Sequence, residues 1–143
     1  MVDSLTPSQR SERMSRIRGK DTKPELALRK ALHRLGFRYR LHGAGLPGKP
    51  DLVLPKYKTV IFVHGCFWHR HAKCKIATTP KSNTQFWIEK FQNNVLRDAR
   101  VTALLESSGW HVLVAWECQL SNASRALATA KDMAMAIKDD DAD

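Results

Sequence analysis

The sequence predicts an α/β fold in which a mixed central β-sheet carries helices on both faces. Segments with the helical spacing of apolar residues alternate with short β-branched runs, in the order α-β-β-β-α-β-α. The length of 143 residues suits one domain with its own hydrophobic core, and an apolar fraction of 43% is typical of a globular protein.

Helix start and stop signals predict three helices, over residues 23–35, 84–107 and 121–138. Thr22 can cap the first helix, and Gly36 can end it. The second helix carries apolar residues at helical spacing, the pattern of a helix with one packed face. These residues are Trp87, Ile88, Phe91, Val95, Ala99, Thr102 and Leu105.

Four strands are predicted, over residues 37–41, 51–54, 59–63 and 110–116. A turn at residues 55–58 joins the second and third strands into a hairpin. Residues 64–83 form a connection that is too long to be idle in a compact domain. This loop is therefore a candidate functional segment.

The charge of the chain indicates a polyanionic partner, most often a nucleic acid. Twenty-four Lys and Arg residues outnumber fourteen Asp and Glu residues, which gives a net charge of +10. Without the four aspartates of an acidic tail, residues 139–143, the remainder carries +14. A basic arm, residues 1–20, precedes a single domain over 21–138, and this arm is either solvated or ordered along phosphates. The cations of the arm are Arg10, Arg13, Arg16, Arg18 and Lys20.

The sequence lacks the features of membrane insertion or export. It contains no run of 18 apolar residues, and residues 1–18 have no apolar segment typical of a signal peptide. We therefore expect neither a membrane span nor secretion. Three cysteines cannot all pair within the chain, which favours metal ligands or buried thiols over a disulfide framework.

Cysteine and histidine residues are concentrated in the loop over residues 64–83. Three sulfurs and one nitrogen match a closed tetrahedral zinc site. The predicted ligands are Cys66, His71, Cys74 and the distant Cys118. A zinc ion would pin a loop without secondary structure to the sheet edge. His69 is an alternative fourth ligand, and three buried thiols beside exposed histidines are the alternative to any metal site.

A second group of residues suits metal-dependent phosphodiester hydrolysis, which needs hard oxygen ligands for Mg²⁺ and groups that move protons. Asp51 begins one strand of the hairpin and Val63 ends the other, so that a carboxylate and a main-chain carbonyl can share one ion. Residues flanking this region are Glu25, His64, His69 and Asp98. The structural alternatives are a turn role for Asp51, a capping box for Glu25 and a surface ion pair for Asp98.

Several segments together resemble the very-short-patch-repair (Vsr) family of DNA mismatch endonucleases. The most specific segment is Val63–His71, which places a Phe-Trp-His run between a His-Gly-Cys run and an Arg-His pair. The resemblance covers about residues 10–120. The other matching segments are Met14–Thr22, Pro24–Glu25, Leu46–Val53, Phe86–Trp87 with Asn94, Arg97–Asp98, Gly109–Trp110 and Trp116–Leu120.

The resemblance implies a PD-(D/E)xK-type nuclease fold and a Mg²⁺-dependent enzyme that nicks double-stranded DNA. The nick is expected 5′ of the thymine in a T·G mismatch, which arises by deamination of 5-methylcytosine in a CC(A/T)GG-like context. Repair synthesis by a polymerase would follow. The resemblance further implies a bacterial, cytoplasmic and nucleoid-associated protein that acts as a monomer, alongside mismatch-repair proteins.

Positions within the matching motifs imply catalytic roles. Asp51 and the Val63 carbonyl would bind Mg²⁺, and His69, supported by Asp98, would act as general base or acid. The residues expected to order waters at this metal are His64 and Glu25.

The same motif positions imply a structural Zn²⁺ and a set of aromatic wedges. Zinc would be held by Cys66, His71, Cys74 and Cys118. The residues expected to enter the DNA beside the mismatch are Phe67, Trp68 and Trp87. A mismatched step costs less to unstack, and stacking on an aromatic ring recovers about 1–3 kcal/mol per base. Two other hypotheses compete: a zinc-stabilised DNA-binding module without catalysis, and a nuclease that cuts both strands of matched DNA.

Overall fold

The computed structural model describes residues 22–43, 45–72, 74 and 77–142, with side chains described as far as residue 138. Within these ranges the elements follow the predicted order. The helices are α1 (Lys23–Arg34), α2 (Thr84–Ser107) and α3 (Ala123–Ala142). The strands are β1 (Arg40–Leu41), β2 (Leu52–Leu54), β3 (Thr59–His64) and β4 (His111–Trp116), and 3₁₀ turns cover Pro55–Tyr57 and Glu117–Leu120. The predicted basic arm lies outside the described residues.

The four strands form one sheet in the order β1-β2-β3-β4. β1, β2 and β3 pair antiparallel, as the predicted hairpin requires. β3 and β4 pair in parallel, with α2 as the crossover that a parallel pair needs. The mixed sheet is therefore confirmed, and the parallel pair brings the last residues of β3 and β4 together at one end of the sheet.

Alternate strand residues face opposite sides of the sheet, and each side buries its own core. One core lies against α1 and α3 and includes Leu32, Ile61 and Ala130, all fully buried. The other core lies against α2 and includes Val60 and Leu105. Helices therefore cover both faces of the sheet, as predicted.

β1 is shorter than predicted because the aromatic residues before it leave the sheet. The Phe37 ring is buried in the core beside α1 and α3, with its centroid 5.7 Å from that of Tyr57. The Tyr39 hydroxyl donates to the carbonyl of Arg29 at 3.0 Å. The chain therefore joins β2 only at Arg40.

α2 has the predicted bounds, but its packed face differs from the predicted stripe. Phe91 and Leu105 are buried, as expected, whereas Ile88 and Val95 are 37% and 44% exposed. The face that meets the rest of the protein runs through Asp98 instead, because the helix packs against a polar cleft along its middle turns. The apolar spacing alone could not separate these two faces.

α3 extends four residues beyond its predicted end, so the backbone of residues 139–142 is helical. Asn122 precedes this helix and caps it, because its side chain accepts the Arg125 N–H at 2.9 Å. Among the described residues, no helix combines the length and apolar character that crossing a membrane requires.

Candidate active site and metal centre

A cleft of about 1020 Å³ opens where the start of α1, the hairpin and the middle of α2 meet. The six residues that the sequence assigned to the cation site and to proton transfer come from α1, the β2–β3 hairpin, the loop after it and α2. All of them line this one cleft: Glu25, Asp51, Val63, His64, His69 and Asp98. The fold therefore gathers the predicted catalytic group at a single surface.

Asp51 lies at the entrance of β2, and its carboxylate reaches across to β3. Its Oδ2 accepts the Val63 N–H at 2.7 Å. The N–H and C=O of one strand residue point to the same edge of the strand, so the Val63 carbonyl also lies on the Asp51 side. The carboxylate and the main-chain oxygen named by the sequence are thus neighbours.

Glu25 brings a second carboxylate to Asp51 from the first turn of α1. Glu25 is 5% exposed, and its Oε2 accepts from Arg29 Nη2 at 3.0 Å. Burial raises the pKa of Asp51 to about 6, the Val63 N–H opposes that rise, and the Glu25 carboxylate adds to it. Two neighbouring carboxylates, with the pKa of Asp51 raised, suit the binding of a cation.

The donor chemistry of this group fits Mg²⁺, which takes hard oxygen ligands and keeps part of its hydration. Glu25 and Asp51 supply carboxylate oxygens, and Val63 supplies a carbonyl oxygen on the same side. The backbone N–H of Glu25 is 3.5 Å from the Thr22 hydroxyl, so Thr22 caps α1. The Glu25 side chain contacts Asp51 and Arg29, and Glu25 lines the cleft.

Two histidines stack beside the carboxylates. The rings of His64 and His69 are parallel within 7°, with centroids 3.9 Å apart. Nδ1 of His69 lies 2.6 Å from Oδ2 of Asp98, on α2. Burial lowers the pKa of His64 to about 4, the neighbouring His69 lowers it further, and Asp98 opposes both. His64 is therefore a neutral ring at neutral pH, and Asp98 orients His69.

A separate group of sulfur and nitrogen atoms lies behind the cleft. All four ligand atoms fall within 4.8 Å of one another, and they belong to Cys66, His71, Cys74 and Cys118. Nδ1 of His71 is 3.6 Å from Sγ of Cys66 and 3.4 Å from Sγ of Cys118. The predicted alternative ligand, His69, faces Asp98 instead.

These separations match zinc. A tetrahedron with Zn–S of about 2.3 Å and Zn–N of about 2.0–2.1 Å places sulfur and nitrogen about 3.5 Å apart. Burial, with the neighbouring cysteines, raises the pKa of Cys66 to about 12. A buried thiol of this kind becomes a thiolate only beside a strong positive charge, which a zinc ion supplies.

The three predicted wedge residues belong to one aromatic cluster. Ring centroids of Phe67, Trp68 and Trp87 are 5.0–5.8 Å apart in every pairing. Phe91 is buried beneath them, and Phe86 lies at the outer edge of the cluster with 57% exposure. The Lys90 ammonium lies 5.3 Å above the Trp68 ring. The cluster thus joins the loop to the first turns of α2.

Sequence reasoning missed three polar residues of this region. His42 lines the cleft, lowers the pKa of Asp51 and stands opposite it across the β1–β2 pair, where its N–H donates to the Asp51 carbonyl at 3.1 Å. Glu117 Oε1 accepts the Cys66 N–H at 2.9 Å. Arg70 donates to several groups of the loop. No local signal in the sequence marks these three residues, and only the β1–β2 register places His42 opposite Asp51.

Known proteins resemble this chain over most of its length. The family described as DNA mismatch endonuclease Vsr matches residues 2–75. A type II nicking enzyme of Xanthomonas oryzae pv. oryzae, V.XorIIP, is 48% identical over 85% of this chain and 89% of its own length. The type II nicking enzyme V.NmeAIP of Neisseria meningitidis serogroup A is 51% identical over 85% and 86%. The DNA mismatch endonuclease Vsr of Escherichia coli is 43% identical over 84% and 76%. The chain therefore belongs to the Vsr family of DNA mismatch endonucleases.

Proposed function

We propose that the protein is a DNA endonuclease that nicks one strand of double-stranded DNA, 5′ of the thymine in a T·G mismatch. One observation carries the proposal: an oxygen-rich cation site and a carboxylate-oriented histidine line the same cleft. The names of the relatives, nicking enzymes and a mismatch endonuclease, give the reaction class. The fold is a PD-(D/E)xK-type nuclease fold, and its carboxylate hairpin is β2–β3.

Asp51 and the Val63 carbonyl would hold Mg²⁺ in this proposal, and Glu25 would order waters on that ion. When bound, Mg²⁺ withdraws negative charge from the scissile phosphate and makes it a better electrophile. The protein contributes the position of the oxygens. Val63 fixes the Asp51 carboxylate through its N–H, and the Arg29 guanidinium fixes that of Glu25.

His69 handles the proton of the reaction. Hydrolysis adds water to phosphorus and releases the O3′ oxygen, so one proton must leave the water and one must reach the leaving oxygen. With Nδ1–H of His69 donating to Asp98, Nε2 is the ring nitrogen that exchanges protons with the cleft. His64 remains neutral beside it and orders water, and its stacked ring holds the plane of His69.

Zn²⁺ would have a structural role in this proposal, as a brace that fixes the loop in place. Cys66, His71, Cys74 and Cys118 would supply four protein ligands to a Zn²⁺ ion and would leave no position for substrate. Cys66 and His71 flank the segment that carries Phe67, Trp68 and His69. The brace therefore fixes both the aromatic cluster and the histidine.

DNA contacts follow from the aromatic cluster and the basic residues. Phe67, Trp68 and Trp87 enter the stack beside the mismatch, where unpairing is least costly. Arg10, Arg13, Arg16, Arg18 and Lys20 of the basic arm follow the phosphates. The chain acts as a monomer with one nuclease domain over 21–138, in the bacterial cytoplasm at the nucleoid. The nick exposes a 3′ end for a repair polymerase, and mismatch-repair proteins are the expected partners.

The decisive experiment is a strand-specific gel on a labelled T·G duplex and on its matched homoduplex, with and without Mg²⁺. We expect a single Mg²⁺-dependent cut in the thymine strand of the mismatched duplex. Cutting of both strands of matched DNA would identify a restriction-type nuclease instead. Binding without any cut, in protein that contains zinc, would identify a DNA-binding module.

A further inference from the structure

Arg70 lies between two functional residues, yet the hydrogen bonds of its side chain go to other parts of the loop. It follows His69 and precedes the zinc-site residue His71 in the sequence. Its backbone adopts a left-handed conformation, with φ of 55°, which is uncommon for a residue other than glycine. A residue held in such a conformation needs compensating contacts from its surroundings.

The Arg70 guanidinium makes those contacts with the main chain of the loop. Nη1 donates to the carbonyls of Phe67 at 3.2 Å and Thr78 at 2.9 Å. Nη2 donates to the carbonyl of Ala77 at 3.1 Å and to the hydroxyl of Thr79 at 3.1 Å. One planar fork thus ties the start of the loop, at Phe67, to its later part at residues 77–79.

The same guanidinium also docks the loop on α2. Its central carbon lies 4.0 Å from the centroid of the Phe91 ring and 5.9 Å from that of Phe67. Phe91 is buried and contacts both Phe67 and Trp87 in the aromatic cluster. Arg70 therefore donates to the carbonyl of one wedge residue, Phe67, and packs on Phe91, which contacts the aromatic cluster from beneath.

We propose that Arg70 is a positioning residue that sets mismatch discrimination by fixing the aromatic cluster, rather than a contact to DNA phosphate. Its two terminal nitrogens donate to four groups of the protein itself, so a phosphate contact would require breaking that network. This proposal rests on the proposed function, because it assigns the aromatic cluster to the mismatch.

Lysine cannot replace arginine in this role. A lysine keeps the positive charge and can lie over Phe91, but its single nitrogen cannot bridge Phe67 and residues 77–79 in a fixed plane. Arg70→Lys and Arg70→Ala should therefore both lose the hydrogen bonds between Phe67 and residues 77–79, which we call the Arg70 clamp. Arg125→Ala is the matched control, because Arg125 also donates to a main-chain carbonyl, that of Cys118 at 3.4 Å, from the start of α3.

The test measures nicking of T·G and matched duplexes, and the salt dependence of DNA binding, for the wild type and the three variants. We expect both Arg70 variants to lower the ratio of kcat/KM on T·G over matched DNA about tenfold or more, with zinc content and the salt slope unchanged. A wild-type ratio in Arg70→Lys would overturn the proposal. So would a salt slope reduced by about one charge in Arg70→Ala, since that is the signature of a lost phosphate contact.

Acrylamide quenching of tryptophan fluorescence in the DNA-free protein separates this proposal from the proposed function. A loosened cluster should expose Trp68 and Trp87, so quenching should increase in both Arg70 variants and not in Arg125→Ala. A wild-type protein without mismatch preference would refute the proposed function, and the quenching result would then still decide on the clamp. Unchanged quenching in both variants would overturn the clamp. If Arg70→Ala fails to fold, Arg70→Lys carries the comparison.

Discussion

Replacing Asp51 by Asn should stop nicking and, without Mg²⁺ at neutral pH, should make the protein more stable. Burial and the nearby Glu25 carboxylate raise the pKa of Asp51 to about 6, so the folded wild type carries the cost of a poorly solvated charge. Asparagine removes that charge. Its Oδ1 can still accept the Val63 N–H, which now meets Oδ2 at 2.7 Å.

The expected gain in the free energy of unfolding follows from the shift in the Asp51 pKa. Raising the pKa of Asp51 from 3.8 to about 6 corresponds to about 3 kcal/mol, at about 1.36 kcal/mol per pH unit. The surrounding structure can relax around the charge, so we expect a gain of about 1–3 kcal/mol in the free energy of unfolding. For a chain of 143 residues this is about 3–10 °C in Tm.

The direction of the Asp51 pKa shift determines the pH range in which the two proteins should differ in stability. A carboxyl group whose pKa is raised by folding contributes full stability below pH 3.8 and loses that contribution as the pH rises through about 6. The advantage of Asp51→Asn should therefore be near zero at pH 4, increase up to about pH 6 and remain constant above it.

The assay is thermal unfolding of the wild type, Asp51→Asn and Asp132→Asn, which changes an exposed aspartate of α3, between pH 4 and 8. We expect added Mg²⁺ to raise the Tm of the wild type and of the control but not of Asp51→Asn. An Asp51→Asn protein no more stable than the wild type at pH 7.5, or an advantage independent of pH, would refute the electrostatic reasoning. Undiminished nicking would refute the metal assignment.

Three further predictions address the other parts of the site. Cys74→Ser should release zinc and lower Tm, and metal analysis should find one zinc per wild-type chain; zinc-free wild-type protein would contradict the brace. Asp98→Asn should lower kcat about 100-fold or more with little change in Tm, because His69 loses the carboxylate that orients it. Single-turnover rates measure this loss, and an unchanged rate would exclude the pairing of His69 with Asp98 from catalysis. Phe67→Ala should weaken binding to T·G duplexes more than to matched ones in a titration, and equal losses would argue against a wedge.

The closeness of Asp51 and Val63 was predictable because both residues belong to one hairpin. The hairpin can be inferred from two apolar runs joined by a short turn, and pairing those runs places Asp51 beside Val63. The grouping of three cysteines with His71 was predictable for a different reason. Three of its four members lie within nine residues of each other, so that only Cys118 had to be supplied by the fold.

Residues whose role depends on side-chain direction could not be predicted. His42 affects the Asp51 carboxylate only because the β1–β2 register places the two residues opposite each other. That register was hard to predict because β1 is shorter than the alternation of apolar and polar residues suggested. Ile88 and Val95 match a helical stripe as well as Phe91 does, and only the tertiary packing decides which side is exposed. Periodicity fixes the width of an apolar face but not its rotation about the helix axis.

His69 shows why the loop needs several anchors at once. It carries the proposed proton transfer, yet it belongs to no helix or strand. Zinc-site residues flank it three positions before and two after, Asp98 holds its Nδ1, and the neighbouring Arg70 ties the loop to α2. Each anchor limits a different motion. The zinc site limits the path of the chain, and Asp98 limits the rotation of the His69 ring. Arg70 limits the distance between the loop and the aromatic cluster. Loss of zinc should therefore abolish nicking through misplacement of His69, although the zinc site itself offers no position to the substrate.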